Sequence, residues 1–135
     1  MDTERVNPVK YSIADPQTVE TTMLEVLDYA YHGRRDIEIT IEQPEFTSVC
    51  PRTGLPDFGR IFIRYRPGVK IVELKSIKFY LLQYRQVGIF YEHVVNRILD
   101  DLCRVLQPKQ MEVCGEFTAR GGITTRVKAV YEAAS

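Results

Sequence analysis

Residues 60–84 read Arg-Ile-Phe-Ile-Arg-Tyr-Arg-Pro-Gly-Val-Lys-Ile-Val-Glu-Leu-Lys-Ser-Ile-Lys-Phe-Tyr-Leu-Leu-Gln-Tyr. Ile61, Ile63 and Tyr65 fall on one face of a strand running from Arg60 to Arg66. Pro67-Gly68 then predicts a turn, and Val69 to Glu73 a returning strand. At Ser76 the apolar period changes from two to 3.6. Ile77, Tyr80, Leu81 and Tyr84 share a helical face, with Ser76 as the expected cap. Strand, tight turn and strand followed by a helix is the grammar of an antiparallel sheet, not of a parallel one.

The same reading extends outward. Upstream, Ile37, Ile39 and Ile41 alternate with Glu38, Thr40 and Glu42 in a predicted strand from Asp36 to Gln43. Downstream, Gly88 breaks the first helix. A second is predicted from Phe90 to Leu106, with Val94, Val95, Ile98, Leu102 and Val105 inward and Pro108 after it. Met111, Val113, Gly115 and Phe117 alternate in the next strand. Gly121-Gly122 turns, and Ile123, Thr125, Val127, Ala129 and Tyr131 alternate in the last. Met23, Leu24, Leu27 and Tyr31 suggest a short helix within 17–31, and the Pro-broken residues 1–15 an arm over the surface. The predicted fold is α+β: one domain over 1–135, an antiparallel sheet with two helices on one face. The other strand faces carry Glu38, Glu42, Arg64, Arg126 and Lys128. A sheet this small leaves open edges, which predicts a homo-oligomer.

The chain has 135 residues and is 44% hydrophobic, enough for one packed core. No apolar run is long enough to span a bilayer, and no basic-then-apolar start suggests export, so a cytoplasmic, membrane-free protein is expected. Three cysteines without a CxxC pair argue against a disulfide scaffold. Cys50, Cys103 and Cys114 with His32 and His93 match no usual zinc spacing, so no metal is expected. No GxGxxG after a strand, Walker loop or GxSxG is present.

Eighteen basic and eighteen acidic residues cancel, which disfavours a generic polyanion binder. The zero hides a pattern. Residues 1–50 hold ten acids and four bases, a net of −6; residues 51–86 hold two acids and eight bases, a net of +6. The middle segment is either an ordinary basic strand face or a site for one anionic ligand.

Between the first two predicted strands, Glu45 to Gly59 forms a long connection stiffened by Pro51 and Pro56. It carries Cys50 and Asp57. A thiolate is a strong nucleophile when something lowers its pKa, and Arg52 is close in sequence. Asp57 against Phe46 and Phe58 would tend to hold a proton, making nucleophile and general acid on one loop. The plainer reading is a small buried thiol and a turn aspartate. Lys75 and Lys78, three apart at a helix start, suit a phosphate beside free backbone N–H groups, or a solvated helix end. Glu73 and Glu92 are candidate acceptors for a ring N–H or amino group. Arg120-Gly121-Gly122 sets an Arg at a hairpin tip, either as an ordinary turn or as a phosphate grip.

Together these pieces resemble the 7-cyano-7-deazaguanine reductases, the nitrile reductases of queuosine biosynthesis, in their short single-domain form. Glu73-Leu74-Lys75-Ser76-Ile77-Lys78-Phe79-Tyr80 is similar to the family motif E-(S/L)-K-(S/A)-x-K-(L/Y)-(Y/F/W), and Phe46-Thr47-Ser48-Val49-Cys50-Pro51 with Asp57 to its active-site loop. The resemblance implies that Cys50 attacks the nitrile carbon to form a thioimide and that Asp57 donates a proton to nitrogen. It implies NADPH as the hydride source and a primary amine as product. It places the deazapurine on Val72, Glu73, Leu74, Tyr91 and Glu92, and the cofactor on Leu74, Lys75, Lys78, Arg120 and Gly121. It also implies the tunnelling fold, with sheets from several subunits joined into an oligomeric barrel and sites at the interfaces. Two positions depart from the pattern: Phe79 replaces Leu or Tyr, and Tyr91 stands where His more often precedes Glu92. Tyr91 supplies a hydrogen-bonding, stacking ring but no imidazole. The competing readings are a cyclohydrolase-like enzyme binding a purine or pterin, which would need Cys and His zinc ligands, and a non-catalytic oligomeric binder of modified bases. Direct nucleic-acid binding is not expected without an extended basic stripe.

Overall fold

The structure, a computed structural model, describes residues 13–134. Six strands and two α-helices occur in it: β1 (Val26–Asp28), β2 (Ile39–Val49), β3 (Pro56–Arg66), β4 (Lys70–Val72), α1 (Leu74–Leu82), α2 (Tyr91–Leu106), β5 (Gln110–Arg120) and β6 (Ile123–Glu132). Four strands form an antiparallel sheet in the order β2-β3-β5-β6, and β1 pairs antiparallel with β4 in a separate ribbon. The predicted α+β class and antiparallel sheet hold.

Three local expectations do not. Residues 17–31 form a short 3₁₀ turn at Pro16–Thr18 and then strand β1, not a helix. Only three residues are extended there, so the period-two signal is too short to outweigh the apolar spacing. The returning strand exists as β4, but it pairs with Val26–Asp28 rather than with β3. The long connection Glu45–Gly59 is mostly strand, and only residues 50–55 turn. The predicted arm lies mainly in residues 1–12, outside the described residues. Next to it, the Ala14 N–H donates to the Gln86 carbonyl at 2.6 Å.

The extension of β2 explains how chemistry reaches the core face. Gln43 opposes Ile61, but Phe46 opposes Gly59, so β2 has one extra residue at Pro44-Glu45. That bulge flips the alternation. Ile39 and Ile41 face inward before it, and Phe46 and Ser48 after it. Pro44 is tolerated because β2 is an edge strand and the ladder is already broken there.

The core lies between the inner sheet face and the helices. Ile61, Ile63, Tyr65, Met111 and Val113 meet Val94, Val95, Ile98 and Leu102 of α2, all essentially inaccessible. Each such side chain contributes about 1.5–3 kcal/mol by leaving water. α2 ends at Gln107, whose left-handed φ of 49° closes the helix with an N–H bond to the Cys103 carbonyl at 2.9 Å.

The outer face answers part of the charge pattern. Arg60 pairs with Glu42 at 3.4 Å, Arg66 with Asp36 at 3.5 Å and Lys70 with Asp28 at 3.7 Å. Arg64 lies against Glu38 at 3.9 Å and bonds Glu112. Four bases of the +6 segment thus face acids of the −6 segment in the same chain. These pairs are exposed and individually weak. Among the described residues, Lys75 and Lys78 have no carboxylate within ion-pair distance.

Candidate active site

Cys50 opens the turn that joins β2 to β3. Its N–H donates to the Leu55 carbonyl at 2.9 Å, and its carbonyl accepts from Gly54 at 2.8 Å. Gly54 adopts φ +72°, which an L side chain rarely tolerates, so the turn needs glycine there. This tight fold brings Thr53 back to the sulfur. The Thr53 hydroxyl beside the sulfur holds the Cys50 thiol below the ordinary range. The backbone N–H groups of Arg52 and Thr53 and the Arg120 side chain act the same way, while burial opposes them. The guanidinium expected to activate the thiol was that of Arg52, but Arg52 acts through its backbone. Thr53 was not singled out in the sequence, although its place three residues after Cys50 in a Pro-and-Gly turn is the signal that finds it.

Asp57 stands at the start of β3 on the inner face and is 5% exposed. Its surroundings are not the apolar wall expected from Phe46 and Phe58. Phe58 points outward and is half exposed. Asp57 Oδ1 instead accepts from the Tyr91 hydroxyl at 3.0 Å and from the Arg120 guanidinium.

Both partners are placed by the fold. Tyr91 is the first residue of α2 and stacks flat on Phe117, ring centroids 3.8 Å apart at 8°. Phe117 lies over two glycines. A Cβ on Gly59 or Gly115 would come within 2.8 Å or 2.7 Å of its ring, so only glycine leaves room. Burial, and next the bond to Asp57, raise the Tyr91 hydroxyl above its usual pKa and keep it a donor. Arg120 ends β5, just before Gly121 and Gly122 at φ +57° and +82°, a two-glycine hairpin turn. Arg120 bonds Asp57 and acts electrostatically on Tyr91 and Cys50. A nucleophile, a carboxyl, a phenol and a guanidinium therefore converge from four places in the sequence.

The other predicted residues form a second group at the start of α1. Ser76 is not the cap. Glu73 is, its carboxylate accepting from the N–H groups of Lys75 at 2.7 Å and Ser76 at 2.8 Å. The Ser76 hydroxyl donates to the Glu73 carbonyl at 2.7 Å and accepts from the Glu25 N–H at 3.0 Å. Val72 is buried and donates to the Tyr65 hydroxyl at 3.1 Å. Leu74, Lys75 and Lys78 are exposed, as is Glu92 in the first turn of α2. α1 has nine residues, about 13 Å of rise. It continues through the 3₁₀ turn Gln83–Gln86 to Val87, whose carbonyl accepts from Val49 at 3.1 Å. The length of a helix thus separates Lys75 from the strand end carrying Cys50. Arg120, expected beside Lys75 and Lys78, lies on Asp57.

Among the described residues no cluster of three His, Cys, Asp or Glu is arranged to hold a metal ion, and no helix is long and apolar enough to cross a membrane. The three cysteines are free thiols.

Comparison with known proteins gives these features a common source. Residues 56–135 match the family described as QueF-like protein. The NADPH-dependent 7-cyano-7-deazaguanine reductase of Chloroherpeton thalassium is 56% identical over 111 residues, which is 82% of this chain and 95% of that protein. The protein of the same name from Caldicellulosiruptor bescii is 52% identical over 123 residues, 91% of this chain and 93% of its own. The crystal structure of the archaeosine synthase QueF-Like in the apo form shares the fold, with a TM-score of 0.63 at 18% identity over 74% of this chain and 96% of that one. With relatives this similar over most of both lengths, the chain belongs to the family of NADPH-dependent 7-cyano-7-deazaguanine reductases, oxidoreductases that act on a nitrile.

Proposed function

We propose that Cys50 carries the family's reaction here: reduction of the nitrile of 7-cyano-7-deazaguanine to the primary amine 7-aminomethyl-7-deazaguanine, in the cytoplasm, as a step of queuosine biosynthesis. The observation that carries this reading is a buried carboxyl, Asp57, bonded by Tyr91 and by Arg120, whose side chain also helps hold the Cys50 thiol below its ordinary pKa.

A nitrile is a poor hydride acceptor. The Cys50 sulfur adds to its carbon, one C–N π bond breaks, and the electron pair on nitrogen takes the proton of Asp57. The product is a neutral thioimide with a polarised C=N. Proton donation removes the cost of an anionic nitrogen in a buried site. Tyr91 and Arg120 fix the Asp57 carboxyl in place and stabilise the charge it gains. NADPH, when bound, would supply two hydrides, one for the thioimide carbon and one for the imine left after sulfur departs; the amine nitrogen takes its last proton from Asp57 once water has reprotonated it. Cys50 leaves with its bonding pair and is ready for another cycle.

The lysines at the start of α1 fit the dinucleotide. They are exposed and, among the described residues, unpaired, while the strand-face bases around them have acids. Lys75 and Lys78 would hold its phosphates, with Leu74, Gly121 and Arg120 lining the site. Val72, Glu73, Leu74, Tyr91 and Glu92 would hold the deazapurine. The α1 length between the two groups favours a site completed across subunits, in an oligomeric barrel joined through the edge strands β2 and β6. Exposed Ile123, Val130 and Tyr131 on β6 suit such a contact.

The test is to mix the protein with 7-cyano-7-deazaguanine without cofactor and weigh it. A covalent adduct is expected on the wild type and absent from Cys50→Ala. No adduct on the wild type, or the same one on Cys50→Ala, overturns the mechanism. Added NADPH should then turn the substrate over, and equal use of NADH would remove the roles given to Lys75 and Lys78.

A further inference from the structure

Ser48 is fully inaccessible, and its Oγ has no hydrogen-bond partner among the described residues. A buried hydroxyl left unpaired is costly, so it calls for an explanation. Its position supplies one. Ser48 is the cross-strand partner of Asp57 in the β2–β3 ladder. The bulge at Pro44-Glu45 turns Ser48 to the inner face, where Asp57 also points. Directly opposed side chains have Cβ atoms about 5 Å apart, within reach of a hydroxyl and a carboxyl through one χ1 rotation or one water. The carboxyl has room for it. Tyr91 and Arg120 both use Oδ1, and no donor among the described residues reaches Oδ2.

We propose that Ser48 is a positioning residue for Asp57, its hydroxyl donating to the second carboxyl oxygen as the proton leaves for the nitrile nitrogen. This rests on the Cys50–Asp57 reading and goes beyond it. The hydroxyl idle in the resting site stabilises the carboxylate that proton transfer creates. The titratable and charged groups bonded to Asp57 are Tyr91 from α2 and Arg120 from β5, and Arg120 in turn acts on Cys50 in the turn after β2. Ser48 is the neutral donor on the remaining side, so its effect follows the proton and not the binding of substrate.

The experiment measures the rate of adduct formation with 7-cyano-7-deazaguanine across pH for wild type, Ser48→Ala, Asp57→Asn and the double variant. Ser48→Ala is expected to slow adduct formation about tenfold without changing the substrate concentration at half-saturation. The limb where the rate falls with rising pH should move to higher pH, because the carboxylate has lost a donor. In the Asp57→Asn background the serine change should have no further effect. A purely structural hydroxyl predicts the reverse. Losing an unpaired buried group then leaves the rate and pH profile alone and holds or raises the melting temperature. That result, or an equal slowing in both backgrounds, overturns the proposal. Absence of adduct on the wild type overturns the Cys50 reading and this inference with it; adduct formation untouched by Ser48→Ala overturns this inference alone.

Discussion

Two buried aspartates in this molecule have the same kinds of neighbours and opposite characters. Asp101, on α2, is 2% exposed. Its Oδ2 accepts from the Tyr80 hydroxyl at 2.6 Å and Arg97 Nε at 2.9 Å, and its Oδ1 from Arg104 Nη2 at 3.3 Å. Tyr80 meets the Tyr84 hydroxyl at 2.9 Å, and Arg97 also donates to the carbonyls of Pro16 and Val19. Burial pushes both tyrosine hydroxyls far up, so they stay neutral. Every group has a partner, and the cluster ties the 3₁₀ turn at Pro16–Thr18 to both helices. Asp57 has its Tyr and Arg on one oxygen and, across the ladder, a serine without a partner among the described residues. A saturated cluster holds the fold, and an unsaturated one leaves capacity for a proton and a substrate.

Replacing each aspartate by asparagine separates the two roles, and this is the largest effect expected. Asp57→Asn should lower kcat by about 10²–10⁴-fold, the span of a lost general acid, with a smaller loss of stability than at Asp101, because its single arginine partner is nearly half exposed to water. Asp101→Asn leaves two arginines facing a neutral amide. Its cost should approach the 3–5 kcal/mol range of a broken buried pair, with near-normal activity per folded molecule. Thermal melts and active-site-normalised kinetics check both. If Asp101→Asn loses activity without losing stability, the contrast between the clusters fails.

The two clusters were unequally legible in the sequence. Cys50 and Asp57 stand seven residues apart in a proline-stiffened stretch, and chemistry points at them. Strand β3 and helix α2 were legible because Ile61, Ile63 and Tyr65, and Val94, Val95, Ile98 and Leu102, keep one period throughout. β2 was legible only to Gln43, because the extra residue at Pro44-Glu45 destroys the alternation that marks a strand. Seen as a loop, that stretch hides the fact that Ser48 opposes Asp57. Arg120 on Asp57, 63 residues away, and Tyr91, 34 away, are tertiary facts that no local pattern encodes. The Asp101 cluster was illegible for the same reason. Tyr80 and Tyr84 read as apolar helix positions, which they are, and the carboxylate that takes the Tyr80 hydroxyl comes from another helix.

A second comparison sets the closed cysteine end of the site against the open start of α1. The groups around Cys50 bond one another before any ligand arrives, whereas Lys75 and Lys78 have no acidic partner among the described residues. Changing either lysine to Ala should raise the KM for NADPH about tenfold, the value of one charge-assisted bond, and leave cofactor-free adduct formation unchanged. A lysine variant that stops adduct formation would show that the two ends act as one unit. Arg120→Ala should affect both measurements, because its guanidinium lies on Asp57 and at Cys50 in the resting site.

The smallest expected effect tests what activates the sulfur. Cys50 is held below the ordinary thiol range by the Thr53 hydroxyl before anything else. Burial pushes Cys103 up to about 11 and also raises Cys114. At neutral pH, where only a thiolate reacts, iodoacetamide should therefore label Cys50 first and Cys103 last. Thr53→Val removes the donor to the thiolate. The Cys50 labelling curve should then move to higher pH, and its rate near pH 7 should fall several-fold because less of the sulfur is ionised. The backbone N–H groups of Arg52 and Thr53 and the Arg120 side chain remain, so some depression should survive. Peptide-resolved mass spectrometry across pH reads each cysteine separately, with Cys103 and Cys114 as internal references. If Thr53→Val leaves the Cys50 curve in place and Arg120→Ala moves it fully, activation comes from the guanidinium shared with Asp57, and nucleophile and acid are poised by one group.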